Sequence, residues 1–217
     1  MVYIGQQTVT YQRRQAVSYA LGHYNNPNPQ FANMDTLGAG GDCTNFTSQC
    51  LLAGGQQMDY RHTDEETEWW YRHVSSEPFD GSSDDWWSCT WSLPENQFHY
   101  ESANQGQAMD LLANPALSKK LQLGDIIYYD WHGEGRFTHS AIVTYFNRNH
   151  VPYVTYRTLK PRQPKRNVHW RLRFRGQAFR IWAVKLNDQL QVFTTQPDFS
   201  RLIPCDQTLP TSTLRSK

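Results

Sequence analysis

The sequence is short of cysteine and has no long apolar run. Four cysteines in 217 residues are too few for a disulfide scaffold. Their positions, 43, 50, 89 and 205, match no zinc-site spacing. The expectation is reduced thiols, one of them chemically active, with no metal and no cofactor. No apolar segment approaches ~18 residues, so no membrane span is expected. The opening MVYIGQQTVTYQRR has no basic start followed by an apolar run, so no secretion signal is expected there. There is no internal repeat and no low-complexity block. Acidic residues are missing from the whole stretch between Gly135 and Asn187, where Arg and Lys recur from Arg136 to Lys185. The segment from Asp59 to Glu101 has the opposite bias. With a net charge of +1, the simplest reading is two complementary faces of one domain, and no nucleic-acid partner is expected.

Aromatic residues are plentiful, at 14% of the chain. The core is therefore expected to be rich in Trp, Tyr and Phe. Trp69, Trp70, Trp86, Trp87 and Trp91 read mostly as core, with a minority available to wall a groove. The length suits a single domain, placed at residues 1–186, with residues 187–217 as a loosely ordered tail.

TVTYQRRQAVSYALGHYNN has apolar residues at helical spacing. DCTNFTSQCLLA predicts a second helix, stopped by Gly54 and Gly55. TDEETEWWYRHV reads as a short helix opened by Thr63. PFDGSSDDWWSCTWSLPENQ reads as loop, and SANQGQAMDLLAN as a helix ending at Pro115. Beyond it the period changes to two. DIIYYDW, THSAIVTYF and YVTYRT predict strands, with NRNH as a hairpin turn, and NVHWRLRFRG and AFRIWAVKL predict more. DWHGEGR is a poor match to a calcium loop and reads as a tight connection between strands. Helices followed by antiparallel strands give an α+β class.

Glycines precede DCTNF, and Asp42 is a good helix cap there. Cys43 then stands where first-turn amides and the helix dipole favour negative charge. That setting is expected to lower its pKa and to offer donors to an oxyanion. Cys50, two turns on, reads as packing. A structural thiol is the other reading of Cys43. A cysteine nucleophile needs a base, and of the eight histidines only His139 opens a clear strand.

GGDCTNFTSQCLLAGG, then WWY, then LGDIIYYDWHGEGRFTHSAIVTYF is similar to the putative amidase domain family of Gram-positive bacteria. The resemblance runs from about Tyr11 to about Trp170. It implies a papain-like fold related to NlpC-type and CHAP cell-wall hydrolases, with a helical N-terminal half packed on an antiparallel sheet. It implies a cysteine amidase or peptidase with Cys43 as nucleophile and His139 as base. The implied substrate is the peptide part of peptidoglycan, and the implied location is the cell wall or outside the cell. The family pattern has a histidine in the next strand, a natural orienter for the base. Here TYRT puts Arg157 in its place, and Arg has no acceptor lone pair for an imidazole N–H. Asp130, Thr155 or a backbone carbonyl are left as orienters, with Asp42 in support. A binding module for a wall fragment or a protein is the alternative function.

Overall fold

The period-two segments of the second half build one sheet on which the N-terminal helices lie. The computed structural model of the protein describes residues 7–35, 41–61, 67–73, 85–158, 163–173, 176, 178–193 and 196–205. Strand β1 (Gln7–Thr10) leads into helix α1 (Arg13–His23), and helix α2 (Cys43–Ala53) follows. Next come β2 (Tyr71–Arg72), β3 (Trp86–Trp87), α3 (Cys89–Ser92), α4 (Pro94–Asn104) and β4 (Gly106–Asp110). After a 3-10 turn at Pro115–Lys120 come β5 (Ile126–Asp130), β6 (His139–Phe146), β7 (Pro152–Tyr156), β8 (Lys165–His169), β9 (Arg180–Leu186) and β10 (Gln189–Val192). The large sheet has the order β4-β9-β5-β6-β7-β8, and all its pairs are antiparallel. β1 pairs with β10 and β2 with β3 as separate two-stranded sheets. Mixed helix and antiparallel sheet make the α+β class expected.

Side chains alternate across a strand, and here both faces are covered. Every residue of β5 is buried. Ile126 and Tyr128 join Ile142, Phe46, Ala16 and Trp91 in a core under α1, α2 and α3. Ile127 and Tyr129 join Ala141, Val143, Leu121 and Ile181 in a second core on the opposite face. Trp69, Trp70 and Trp91 are wholly buried, while Trp86 lies at the surface. The aromatic core expected from composition is present.

Four local expectations fail. The described part of the segment expected as a helix from Thr63 is extended: Trp69 bridges to Asp59, and Tyr71–Arg72 is a strand. Thr63 itself lies outside the described residues. Trp69 and Tyr71 face the core while Trp70 turns to Tyr60, an alternation that suits β geometry. The Trp-rich loop instead contains β3, α3 and the start of α4, with Pro94 at the first turn where its missing N–H costs nothing. The predicted helix from Ser102 breaks at Gly106, and β4 begins there. At that glycine a Cβ would stand 2.4 Å from the Lys185 carbonyl oxygen on β9. The segment expected as a loose tail supplies β10, with Leu190 wholly buried.

The tail is also tied down covalently. Cys89 and Cys205 form a disulfide across a sequence separation of 116, which corrects the expectation of four reduced thiols. Sequence counting could not see it, because the partners are brought together only by the fold. Cys43 and Cys50 remain free and buried.

The start of α2 is fixed by a buried ion pair. Arg157, just beyond β7, is 1% exposed, and its Nε donates to Asp42 Oδ2. Asp42 Oδ1 accepts from the Met34 amide at 3.1 Å and from Asn45 Nδ2 at 2.6 Å. Arg157 also donates to the His23 carbonyl at 3.3 Å and stands 5.1 Å from the Phe46 ring centroid. One guanidinium thus touches α1, α2 and the residue before α2. Burial raises the Asp42 carboxyl above its ordinary value, and Arg157, Asn45 and the Met34 amide pull against that rise.

A second buried carboxyl stands in α4. Glu101 Oε1 accepts from Gln56 Nε2 at 2.8 Å, while Glu101 Oε2 and Gln56 Oε1 have no hydrogen-bond partner. A proton on the carboxyl supplies the donor that this acid–amide pair lacks. Burial pushes Glu101 up to about 8 against the pull of Gln56.

Three outcomes are expected from these features. Reduction of the disulfide, or Cys205→Ser, should cost about 2–5 kcal/mol of stability. Thermal melts with and without reductant measure it, and unchanged melts would contradict it. Arg157→Met leaves Asp42 buried without its cation and should cost about 3–5 kcal/mol in urea unfolding, with Asp42→Asn/Arg157→Met costing less than the sum of the single variants. A loss below ~1 kcal/mol would show that the pair holds nothing. Because the folded Glu101 keeps a proton that the unfolded chain gives up, its contribution is full below the ordinary carboxyl value and is lost as pH rises through about 8. Wild type should lose about 3–5 kcal/mol more than Glu101→Gln between acid and alkaline pH. Parallel curves for the two proteins would contradict a raised Glu101.

Candidate functional site

Gly41 has φ +141°, a conformation open to glycine, and it delivers the chain into α2. Asp42 follows, but its side chain caps no helix amide. The expected capping role is replaced by the inward ion pair with Arg157. Cys43 opens the helix with 6% exposure. Its sulfur stands 3.8 Å from the Thr44 hydroxyl, and the Ser140 backbone amide is directed at it.

The expectation that a helix start acidifies this thiol is not met. Burial raises the Cys43 thiol above its ordinary value. The Ser140 amide and the Thr44 hydroxyl pull it down, and the Asp42 carboxylate pushes it further up. A sulfur excluded from water gains less from the dipole than it loses in hydration. Cys50, which is wholly buried, is raised by the same cause. It sits in the core as expected.

His139 opens β6 and is 2% exposed. Its ring stacks on Trp131 at 4.2 Å and 21°, and Tyr156 meets it edge-on at 4.7 Å and 89°. The Tyr129 ring is 5.8 Å away. Those three aromatics belong to the second core, whereas Ser140, facing the other way, holds hydroxyl contacts of 3.2 Å with Thr44 and Thr47 of α2. Cys43 and His139 therefore come to the same end of β6 from its two sides. An amide directed at the sulfur puts that sulfur within about 7 Å of the His139 Cα. Sequence reasoning missed Tyr129, Trp131 and Tyr156 as the surroundings of His139. The alternation of DIIYYDW carried a signal, since residues 129 and 131 share a face.

Asp42, Arg157, Asp130 and Thr155 part company. Asp42 and Arg157 adjoin Cys43. Asp130 is buried, but its carboxylate accepts from the amides of His132 (3.1 Å), Gly133 (2.8 Å), Glu134 (3.3 Å) and Gly135 (3.0 Å). It organises the turn, which agrees with the reading of DWHGEGR as a tight connection, and it does not hydrogen-bond His139. Thr155 Oγ1 pairs with Thr144 Oγ1 at 2.7 Å and accepts from the Asn167 amide at 3.2 Å. The other histidines have separate settings. His73 Nδ1 is 3.1 Å from Asp85, His99 Nε2 is 3.1 Å from Glu95, and His169 is exposed beside Trp170. His62 lies outside the described residues. Among the described residues no group of three or more His, Cys, Asp or Glu side chains could hold a metal, and no helix is long and apolar enough to cross a membrane.

A cavity of about 430 Å³ opens on the second face, with Trp170, Arg171, Phe179 and Ile181 in its wall. Tyr129 Oη donates to the Trp170 carbonyl at 2.8 Å, which links that wall to the surroundings of His139.

A family model described as putative amidase domain matches residues 10–183. "Uncharacterized protein YhbB" of Bacillus subtilis (strain 168) is 32% identical over 152 residues, which are 70% of this chain and 43% of that protein. The chain thus spans less than half the length of this curated relative. No solved structure matches. The family match takes in Cys43, Ser140, His139 and Arg157 together, and the chain belongs to the putative amidase domain family.

Proposed function

We propose that the chain is a cysteine-dependent amide hydrolase of papain-like arrangement, with Cys43 as nucleophile and His139 as base. The observation that supports it most is the meeting of the Cys43 sulfur with β6 at Ser140, one residue from His139. The family to which the chain belongs is described by amide chemistry.

In this reading the thiol rests protonated because it is buried. His139 takes its proton as the sulfur attacks the amide carbonyl carbon. The carbonyl oxygen becomes an oxyanion, and the first amides of α2 are its donors. Those amides have no intrahelical acceptors, and Asp42, turned inward, does not cap them. The intermediate expels the amine, which takes its proton from His139 and leaves a thioester. Water then attacks the thioester and gives a proton to His139. The acid departs and the thiol regains the proton. The face of Trp131 beside the ring favours the imidazolium formed at each transfer. Arg157 offsets the Asp42 charge that would otherwise oppose a thiolate next to it.

The proposed substrate class is the peptide part of the bacterial cell wall, on the strength of the family resemblance. The Cys89–Cys205 disulfide supports action in an oxidising compartment, outside the cytosol. A second reading keeps the fold as a binding module: a raised thiol and an imidazole enclosed by three aromatics are also what a silent site would hold.

Cys43→Ala should lower peptide amide hydrolysis by at least ~10³-fold, with binding of the same peptide retained. Release of amine from a wall-derived peptide measures the rate. Unchanged hydrolysis in the variant would remove Cys43 from the chemistry. A wild type that binds the peptide without cleaving it would leave the binding module.

A further inference from the structure

The end of the sheet away from Cys43 carries a separate basic groove. β6 runs from His139 to Phe146, so about 23 Å of strand at ~3.3 Å per residue separates the two ends. At the far end a cavity of about 540 Å³ is lined by Arg13, Arg14, Lys119, Lys120, Phe146 and His150, among others. Its cations come from two parts of the chain, the start of α1 and the end of the 3-10 turn at Pro115–Lys120, and the β6–β7 side adds Phe146 and His150. Leu121 and Leu123 add apolar wall.

The cations differ in what they already hold. Arg13 is committed to Asp125 at 2.8 Å and Asp188 at 3.0 Å, and it fixes the floor. Arg14, Lys119 and Lys120 are exposed, and none is within ion-pair distance of a carboxylate among the described residues. The acidic stretch that could have balanced this charge lies elsewhere: of its described carboxylates, Asp59 pairs with Arg61, Asp85 with His73, and Glu95 with His99. Unpaired cations around one depression raise the local concentration of a polyanion and bind it with release of counterions.

We propose that this groove binds a flexible polymer of repeating phosphate groups, other than a nucleic acid. Several cations spread over two segments suit charges repeated along a chain better than one small anion. The aromatic residue of the groove, Phe146, is covered by the His150 ring at 4.6 Å and 13°. That single ring pair is not the succession of platforms on which the bases of a single strand stack, and stacking is what single-stranded nucleic acids gain from such grooves. The site anchors the domain on an anionic polymer while the Cys43 end stays open. It stands independently of the amide-hydrolase reading.

The test uses the whole chain and long-chain inorganic polyphosphate as probe, with affinity followed over a salt series. Binding should weaken steeply as salt rises. Arg14→Gln/Lys119→Gln/Lys120→Gln should bind at least ~10-fold more weakly, with a salt slope smaller by about 2–3. The three side chains lie outside both cores, so the melting temperature should not move, which separates lost charge from lost fold. Polyphosphate binding that is absent, independent of salt or unchanged in the triple variant would overturn the proposal. A single-stranded oligonucleotide of matched charge bound more tightly than polyphosphate would also overturn it. Inorganic phosphate competing as well as the polymer would reduce the site to one for a small anion and refute the polymer.

Discussion

The contact between Arg157 and Asp42 decides where α2 begins against the sheet. A guanidinium with 1% exposure survives in a core only beside a charge of opposite sign and with further acceptors. Here it has Asp42, the His23 carbonyl and the Phe46 ring. Through them α1, α2 and the end of β7 share one anchor, and the first residue of α2 is Cys43. The position of the sulfur against β6 thus depends on an interaction outside the helix. That also explains why Asp42 gives up capping. Its oxygens are taken by Arg157, Asn45 and Met34, and the amides at the helix start are not capped by it.

The same residue answers the puzzle of the TYRT segment. A cation that cannot accept a hydrogen bond from an imidazole is a poor orienter, yet it suits the neighbour of an aspartate. The surroundings of His139 are supplied instead by rings. Trp131 stacks on it and Tyr156 closes its edge, and their own places are set by the second core. An aromatic-rich sheet covered on both faces can hold an imidazole in position by packing.

Much of this was legible in the sequence. The glycine–aspartate–cysteine entry to α2 and the period-two run of β5, β6 and β7 are local patterns, and each lies where the residues place it. His139 at a strand start followed from the same alternation. What failed was non-local. Cys89 and Cys205 are far apart in the chain, so counting could not pair them. Gly106 looked like an interruption in a helix, whereas the close approach of the Lys185 carbonyl requires it in β4. The tail seemed aperiodic because β10 is short and gains its partner, β1, from the other end of the chain. The pKa of Cys43 was misjudged for a related reason: a helix start is visible in sequence, but the burial that outweighs it is a property of the packed domain.

Buried in this way, Cys43 rests as a neutral thiol at a junction of helix and strand. Alkylation of the native protein by iodoacetamide across a pH series, with each cysteine followed by peptide mapping, tests that state directly. Cys43 should react slowly at neutral pH, with a midpoint above that of an ordinary thiol, and Cys50 should stay unmodified until the protein unfolds. Rapid labelling of Cys43 on the acid side of neutrality, or labelling of Cys50 first, would contradict the account.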